Sequence, residues 1–169
     1  GDKEPPTVTS FFAMLRGQLK AGSVLSHPVA YPLTTVEPGI AHGRLLGGNL
    51  AMIASTLGTP YEIDVEGVIL LIEDVNEPLY RIDRLLTQMR LAGKLAKLRG
   101  VLVGDIAGVD VEALNRLLKQ TFEPLRIPVL SGWRSGHCDP NLTLPMGALV
   151  RLDAGKKELM LEQDVVIKA

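Results

Sequence analysis

Residues 70–78 read LLIEDVNEP: an apolar run that begins at Val68 drives into Glu73, Asp74 and Glu77 before it meets Pro78. Val68 to Ile72 is continuously apolar, without the alternation of a half-exposed strand and too short for a helix. That pattern belongs to a strand buried on both faces. Pro78 then stands where a helix opens. Ile82, Leu85, Leu86, Met89 and Ala92 recur at helical spacing until Gly93 stops the pattern. A two-sided strand feeding an amphipathic helix predicts a parallel sheet with helices packed on it. The carboxylates pose the functional question: they are either ordinary polar residues at a strand exit, or groups presented for chemistry.

Strand and helix alternate on either side of this stretch. Gly47-Gly48-Asn49 opens a helical segment carrying Leu50, Ile53, Ala54 and Leu57, stopped by Gly58 and Pro60. Val101 to Val103 is a second buried strand, followed by Gly104-Asp105. Asp110 caps a helix to about Gln120, with Val111, Leu114, Leu117 and Leu118 apolar, and Pro128 to Leu130 is a third strand. From Leu142 the pattern turns to β, with strands expected at Leu142–Leu144, Leu149–Leu152, Glu158–Leu161 and Val165–Ile167, and Gly155 in a hairpin-like turn. At the other end, residues 1–7 form a polar lead-in. Thr9 or Ser10 caps a short helix from Phe11 to Arg16, and residues 17–44 read as short strands and turns punctuated by Gly and Pro. The expected fold class is α/β, with a mostly parallel core sheet, flanking helices and antiparallel β additions.

Bulk composition narrows the function. The 169 residues are 46 % apolar, and 18 basic against 19 acidic side chains leave a net charge of −1. That balance supports neither nucleic-acid binding nor a polybasic membrane anchor, and 4 % aromatic residues argue against base-stacking platforms. Cys138 is the single cysteine, so no internal disulfide forms. No apolar run approaches the roughly 18 residues that span a bilayer. The N-terminus lacks both the pattern of a signal peptide and an initiator Met, so a piece of a longer protein is the expectation.

Ligands meet open parallel sheets at the carboxyl ends of the strands. That rule selects Glu73 and Asp74, then Gly104-Asp105, then Ser131, Ser135 and His137. Of the three histidines, His27 and His42 lie in the irregular N-terminal part and read as surface or packing residues; His137 alone follows a core strand. Glu73 or Asp74 with His137 supplies an orienting acid and a base. A nucleophile is missing. No G-x-S-x-G elbow occurs, Ser131 and Ser135 sit on an ordinary loop, and Cys138 adjoins His137 in sequence. The residues thus give half a catalytic set. A rival reading groups Glu73, Asp74, Asp105 and Asp139 as an oxygen-rich Mg²⁺ site. No P-loop accompanies it. Gly47-Gly48-Asn49 before a helix is a weak anion-binding signal, and no Cys/His spacing suggests zinc.

Four blocks in order resemble one family: GRLLGGNLAMIASTLGTPYE at 43–62, VILLIEDVNEPLYRIDRLLTQMRLAG at 68–93, GVLVGDIAG at 100–108 and SGHCDPNLTLPMGALVRLD at 135–153. They are similar to the C-terminal domain of serine LD-carboxypeptidases, also called muramoyltetrapeptide carboxypeptidases, to which microcin C immunity-type hydrolases are related. The resemblance implies a cytoplasmic serine hydrolase that removes the terminal D-alanine of a murein tetrapeptide in peptidoglycan recycling, through a Ser–Glu–His triad. It places the family's glutamate on Glu73 and its histidine on His137, with no cofactor and no metal. The nucleophilic Ser would lie on an N-terminal domain before Gly1. Residues 1–42 would then be the interdomain connection and short strands packed on the domain, and residues 43–169 the C-terminal α/β domain. The implied partners are the peptide substrate, that missing domain and a second copy in a homodimer, with no nucleic acid and no membrane. Alone, the fragment is expected to be inactive. Trp133, Arg134 and Cys138 depart from the less polar approach to the family's histidine, which bears on substrate preference. The alternatives are a microcin C-type immunity hydrolase domain, or a non-catalytic dimerisation or binding module using helix 79–92 or the strands after residue 142.

Overall fold

The structure, a computed structural model, describes residues 5–166. In chain order its elements are α1 (Pro6–Leu15), β1 (Thr34–Glu37), β2 (Ile40–Asn49), α2 (Leu50–Ser55), β3 (Val68–Val75), α3 (Leu79–Leu91), β4 (Gly100–Ala107), α4 (Val111–Phe122), β5 (Val129–Ser131), β6 (Leu149–Asp153) and β7 (Glu158–Leu161). All seven strands join one sheet in the order β1-β5-β4-β3-β2-β6-β7. The four central strands, β5, β4, β3 and β2, run parallel. Antiparallel strands extend the sheet at both margins, β1 beside β5 and β6-β7 beside β2. The fold class is the expected α/β, mostly parallel at its centre.

The apolar run at Val68–Ile72 is continuous because β3 feeds two cores. Side chains alternate across a strand. Val68, Leu70 and Ile72 join the layer containing Leu50 and Ile53 of α2, Ile82, Leu86 and Met89 of α3, and Leu114, Leu118 and Phe122 of α4. Ile69 and Leu71 join the opposite layer with Met14 of α1, Trp133, Val150 and Leu152 of β6, and Leu159 and Leu161 of β7. Burying a side chain of this size contributes roughly 1.5–3 kcal/mol, so the strand that carries the two carboxylates is anchored from both faces of the sheet.

The structure departs from the sequence reading in five places. The first helix starts at Pro6, with Pro5 extended before it, rather than at Phe11. Proline suits the first helical position, where its missing N–H goes unused; Ser10, read as a cap, donates instead to the carbonyl of Thr7. Second, β2 spans ten residues that read in the sequence as the end of a stretch of short strands and turns and a helix lead-in. Two of its three glycines are spacing devices: a Cβ on Gly43 would stand 2.5 Å from the carbonyl oxygen of Gly67, and one on Gly47 would stand 1.9 Å from that of Leu71. Third, β3 and β4 run past their apolar runs, to Val75 and Ala107, so Glu73 and Asp74 are inside a strand and not at its exit. Fourth, Leu142–Leu144 is irregular chain, its Leu142 N–H bonding the carbonyl of Arg134 and not a neighbouring strand. Fifth, Val165 and Val166 form bends; Ile167 lies outside the described residues.

Candidate active site

Strand alternation separates the two neighbouring acids. Glu73 continues the Ile69, Leu71 side of β3 and Asp74 the Val68, Leu70, Ile72 side. Both are buried. On its side, Glu73 accepts a hydrogen bond through Oε2 from Nδ1 of His137 at 2.9 Å. A carboxylate only accepts, so this contact places the proton on Nδ1 and leaves Nε2 as the basic nitrogen. Among the described residues no group bonds Nε2. The Glu73 side chain is 9 % exposed and that of His137 56 %: an anchored acid holds an imidazole that faces outward.

Close backbone approaches make room for this pair. The β3–β4 register shifts between Ile72 and Asp74, so Gly104 and Asp105 of β4 bulge opposite Glu73. Bulges recur beside active sites because they re-aim side chains. A Cβ on Gly104 would stand 2.5 Å from the Ser135 carbonyl oxygen and 3.2 Å from Glu73 Cβ. Gly136, at φ +118°, lies closer to Glu73 itself, since a Cβ there would stand 2.7 Å from Glu73 Oε2 and 2.9 Å from Glu73 Cβ. The loop carrying His137 therefore lies against Glu73 with no room for a side chain between them.

Asp74 serves the other face. Its Oδ1 accepts from Asn49 Nδ2 (3.0 Å) and the Val75 N–H (2.8 Å), and its Oδ2 from the Ala51 N–H (2.9 Å). Asn49 in turn caps α2 by accepting from the Met52 N–H at 3.0 Å. The anion at this helix start is thus the protein's own Asp74, so the weak anion-binding signal of Gly47-Gly48-Asn49 is met from within the chain, and these residues end β2 instead of forming a separate turn. Asp105 pairs with Arg134 at 3.2 Å. Of the four acids grouped by the magnesium reading, Glu73, Asp74 and Asp105 each have a separate partner and Asp139 is exposed; among the described residues no three His, Cys, Asp or Glu side chains are arranged to hold a metal ion.

The remaining sequence candidates fall away from chemistry. Ser131 and Ser135 are buried. Cys138 Sγ donates to the Pro140 carbonyl, and burial pushes its thiol pKa up, away from the reactive thiolate. His42 is exposed and pairs with Glu162 at 2.7 Å. His27 matters more than a packing residue would. Its Nε2 accepts the N–H of Arg134 at 3.1 Å, and its ring lies 4.9 Å from that of Trp133, which is buried. Burial, and then the charge of Arg134, lower the His27 pKa. The unfolded chain therefore binds this proton more readily than the folded one, and stability falls as pH drops through the ordinary histidine value of 6.5. Melting temperatures measured from pH 7.5 to 5 are expected to decline in the native chain, and to decline less in His27→Gln. An equal decline in both would remove His27 as the cause.

Gly136 is the site residue that residue-type reasoning passes over, and Arg134, singled out in the sequence for substrate preference, is missed in its structural role, because their signal is contact and not chemistry. Residues 42–152 match the family described as the LD-carboxypeptidase C-terminal domain. A probable murein peptide carboxypeptidase of Bacillus subtilis (strain 168) is 43 % identical over 140 residues, covering 79 % of this chain and 44 % of that protein. The microcin C7 self-immunity protein MccF of Escherichia coli is 28 % identical over 130 residues, covering 74 % and 38 %. Among solved structures, a muramoyltetrapeptide carboxypeptidase from Oxalobacter formigenes superposes with a TM-score of 0.71 at 28 % identity, covering 95 % of this chain and 55 % of that one. MccF in complex with aspartyl sulfamoyl adenosine reaches 0.83 at 22 % identity, covering 98 % and 58 %, a likeness of fold. The chain spans less than half the length of these curated relatives. No helix among the described residues is long and apolar enough to cross a membrane. With its sheet, its loop and most of its length shared in this way, the chain belongs to the LD-carboxypeptidase C-terminal domain family.

Proposed function

We propose that this chain supplies the acid and the base of a serine LD-carboxypeptidase whose nucleophilic serine belongs to a domain outside these 169 residues. The observation that carries the reading is the 2.9 Å contact between His137 Nδ1 and Glu73 Oε2, with the acid buried and the imidazole open. The serine hydroxyl approaches Nε2, which takes its proton as Oγ bonds to the carbonyl carbon of the scissile amide. Glu73 stabilises the imidazolium so formed. The imidazolium then protonates the departing amino group of D-alanine as the C–N bond breaks. A water, deprotonated by the same nitrogen, releases the acyl group and the proton returns to serine. Family membership and the Bacillus relative support a murein peptide as substrate; that it is a tetrapeptide cleaved within the cell, in peptidoglycan recycling, is part of the proposal.

The test is D-alanine release from a murein tetrapeptide. It is expected from the complete protein and not from the isolated chain, which has neither nucleophile nor oxyanion hole in this reading. Release by the isolated chain would sink the proposal. A second reading, an immunity-type hydrolase, is favoured by the likeness to MccF. Offering the complete protein both a tetrapeptide and aspartyl sulfamoyl adenosine separates the two by which is cleaved. Assembly as a homodimer, the other expectation of the resemblance, is read from solution mass by light scattering.

A further inference from the structure

Arg134 is held through its backbone and through both terminal nitrogens of its guanidinium, while its buried Nε has no partner among the described residues. Its backbone N–H donates to Nε2 of His27 (3.1 Å), and its carbonyl accepts from the Leu142 N–H (2.7 Å). Its guanidinium donates through Nη1 to Oδ1 of Asp105 (3.2 Å) and through Nη2 to the carbonyl of Asp139 (2.8 Å), and lies 4.5 Å from the centre of the Tyr31 ring. The bond to Leu142 closes a loop over residues 135–141, and the bond to Asp139 crosses that loop beyond His137. Arginine suits this duty because its planar fork holds two acceptors at once while its face stacks on an aromatic ring.

The anchor of the clamp is the bulge opposite Glu73. Asp105 accepts from Arg134, and its N–H donates to the carbonyl of Ser135 at 2.9 Å. Gly104, beside it, lies against both Ser135 and Glu73. One short irregularity of β4 thereby sets the height of the acid on β3 and of the loop that bears the base. We propose that Arg134 is a positioning residue for His137: by tying the Asp139 carbonyl of the loop to Asp105 of β4 it fixes the imidazole where Nδ1 meets Glu73. The inference rests on the reading of His137 as the base. It also gives a role to a residue whose departure from the family's pattern bears on substrate preference, since Arg134 turns inward, its side chain 18 % exposed.

The readout is the side-chain nitrogen spectrum of His137 in this chain, which has only three histidines to assign. In the native chain His137 is expected to hold its proton on Nδ1. Arg134→Met and Arg134→Lys are expected to stay folded by circular dichroism and to shift the His137 nitrogens toward the averaged values of a free imidazole. In the complete enzyme the same variants are expected to lose about 10- to 100-fold in kcat with KM nearly unchanged, the effect of a base held slightly out of place. Asp105→Asn, a smaller change at the other end of the clamp, must move the His137 nitrogens in the same direction, and serves where the Arg134 variants do not fold. Loss of melting temperature with native His137 nitrogens, in Asp105→Asn or in a folded Arg134 variant, overturns the proposal and leaves Arg134 a stability residue. A native chain whose His137 shows no preference for the Nδ1–H form would instead remove the Glu73–His137 reading itself.

Discussion

Gly47→Ala is expected to unfold the chain or come close to it. The added Cβ would stand 1.9 Å from the carbonyl oxygen of Leu71 and 2.8 Å from the backbone nitrogen and carbonyl carbon of the same residue. Those atoms belong to β3, the parallel neighbour of β2, and Gly47 pairs with Leu71 in register. Backbone in the middle of a sheet has no flexible end to swing aside, so β2 must separate from β3 where both cores depend on it. The φ of +135° adds its own strain, about 1–3 kcal/mol for a residue with a side chain. The total is expected to exceed about 4 kcal/mol, the range reserved for packing failures of this kind. Gly48→Ala is the control. Its φ is similar, +145°, but a Cβ there meets nothing within 4 Å, so its loss should stay near the strain alone. Denaturant unfolding of the two variants side by side checks the argument; losses within about 1 kcal/mol of each other would show that the close approach to Leu71 is not what Gly47 provides.

The same glycine explains what the sequence makes legible. Val68–Ile72 announces a buried strand because its signal is in the residues themselves, each apolar and each needed by one of two cores. Pro78 and Asp110 announce helix starts for an equally local reason, and Asp110 does accept the N–H of Ala113. β2 is hidden because its glycines answer to the strand beside it: Gly43 and Gly47 look like chain breakers until Gly67 and Leu71 are placed against them. The site divides the same way. Glu73 and His137 stand out by chemistry and by resemblance, although 64 residues separate them. The split between Glu73 and Asp74 follows from strand alternation, yet it becomes visible only once β3 is seen to continue to Val75. What holds the pair together is invisible in the residues alone. The bulge at Gly104-Asp105, the absent side chain of Gly136 and the inward turn of Arg134 are all relations between segments far apart in the chain.

Glu73→Gln is expected to lower kcat of the complete enzyme by about 10⁴-fold while leaving the fold intact, the size of effect seen when a triad acid becomes its amide. The substitution keeps the volume at a site where Gly104 and Gly136 press on Glu73 from two sides, so packing is preserved and chemistry changes. A carboxylate admits only the Nδ1–H imidazole. An amide also offers an N–H₂ donor, which stabilises the form with a bare Nδ1 and the proton on Nε2. In that form Nε2, the nitrogen proposed to meet the serine, carries a hydrogen already and accepts none. The stabilisation of the imidazolium by a negative neighbour is lost as well. KM is expected to change little, because Glu73 is buried beneath the imidazole and does not itself reach the substrate. The side-chain nitrogens of His137 give a second measurement that needs no substrate: they should report Nδ1–H in the native chain and a shift toward Nε2–H in Glu73→Gln. Activity within about tenfold of native, with His137 still protonated on Nδ1, would mean that something other than Glu73 orients the base.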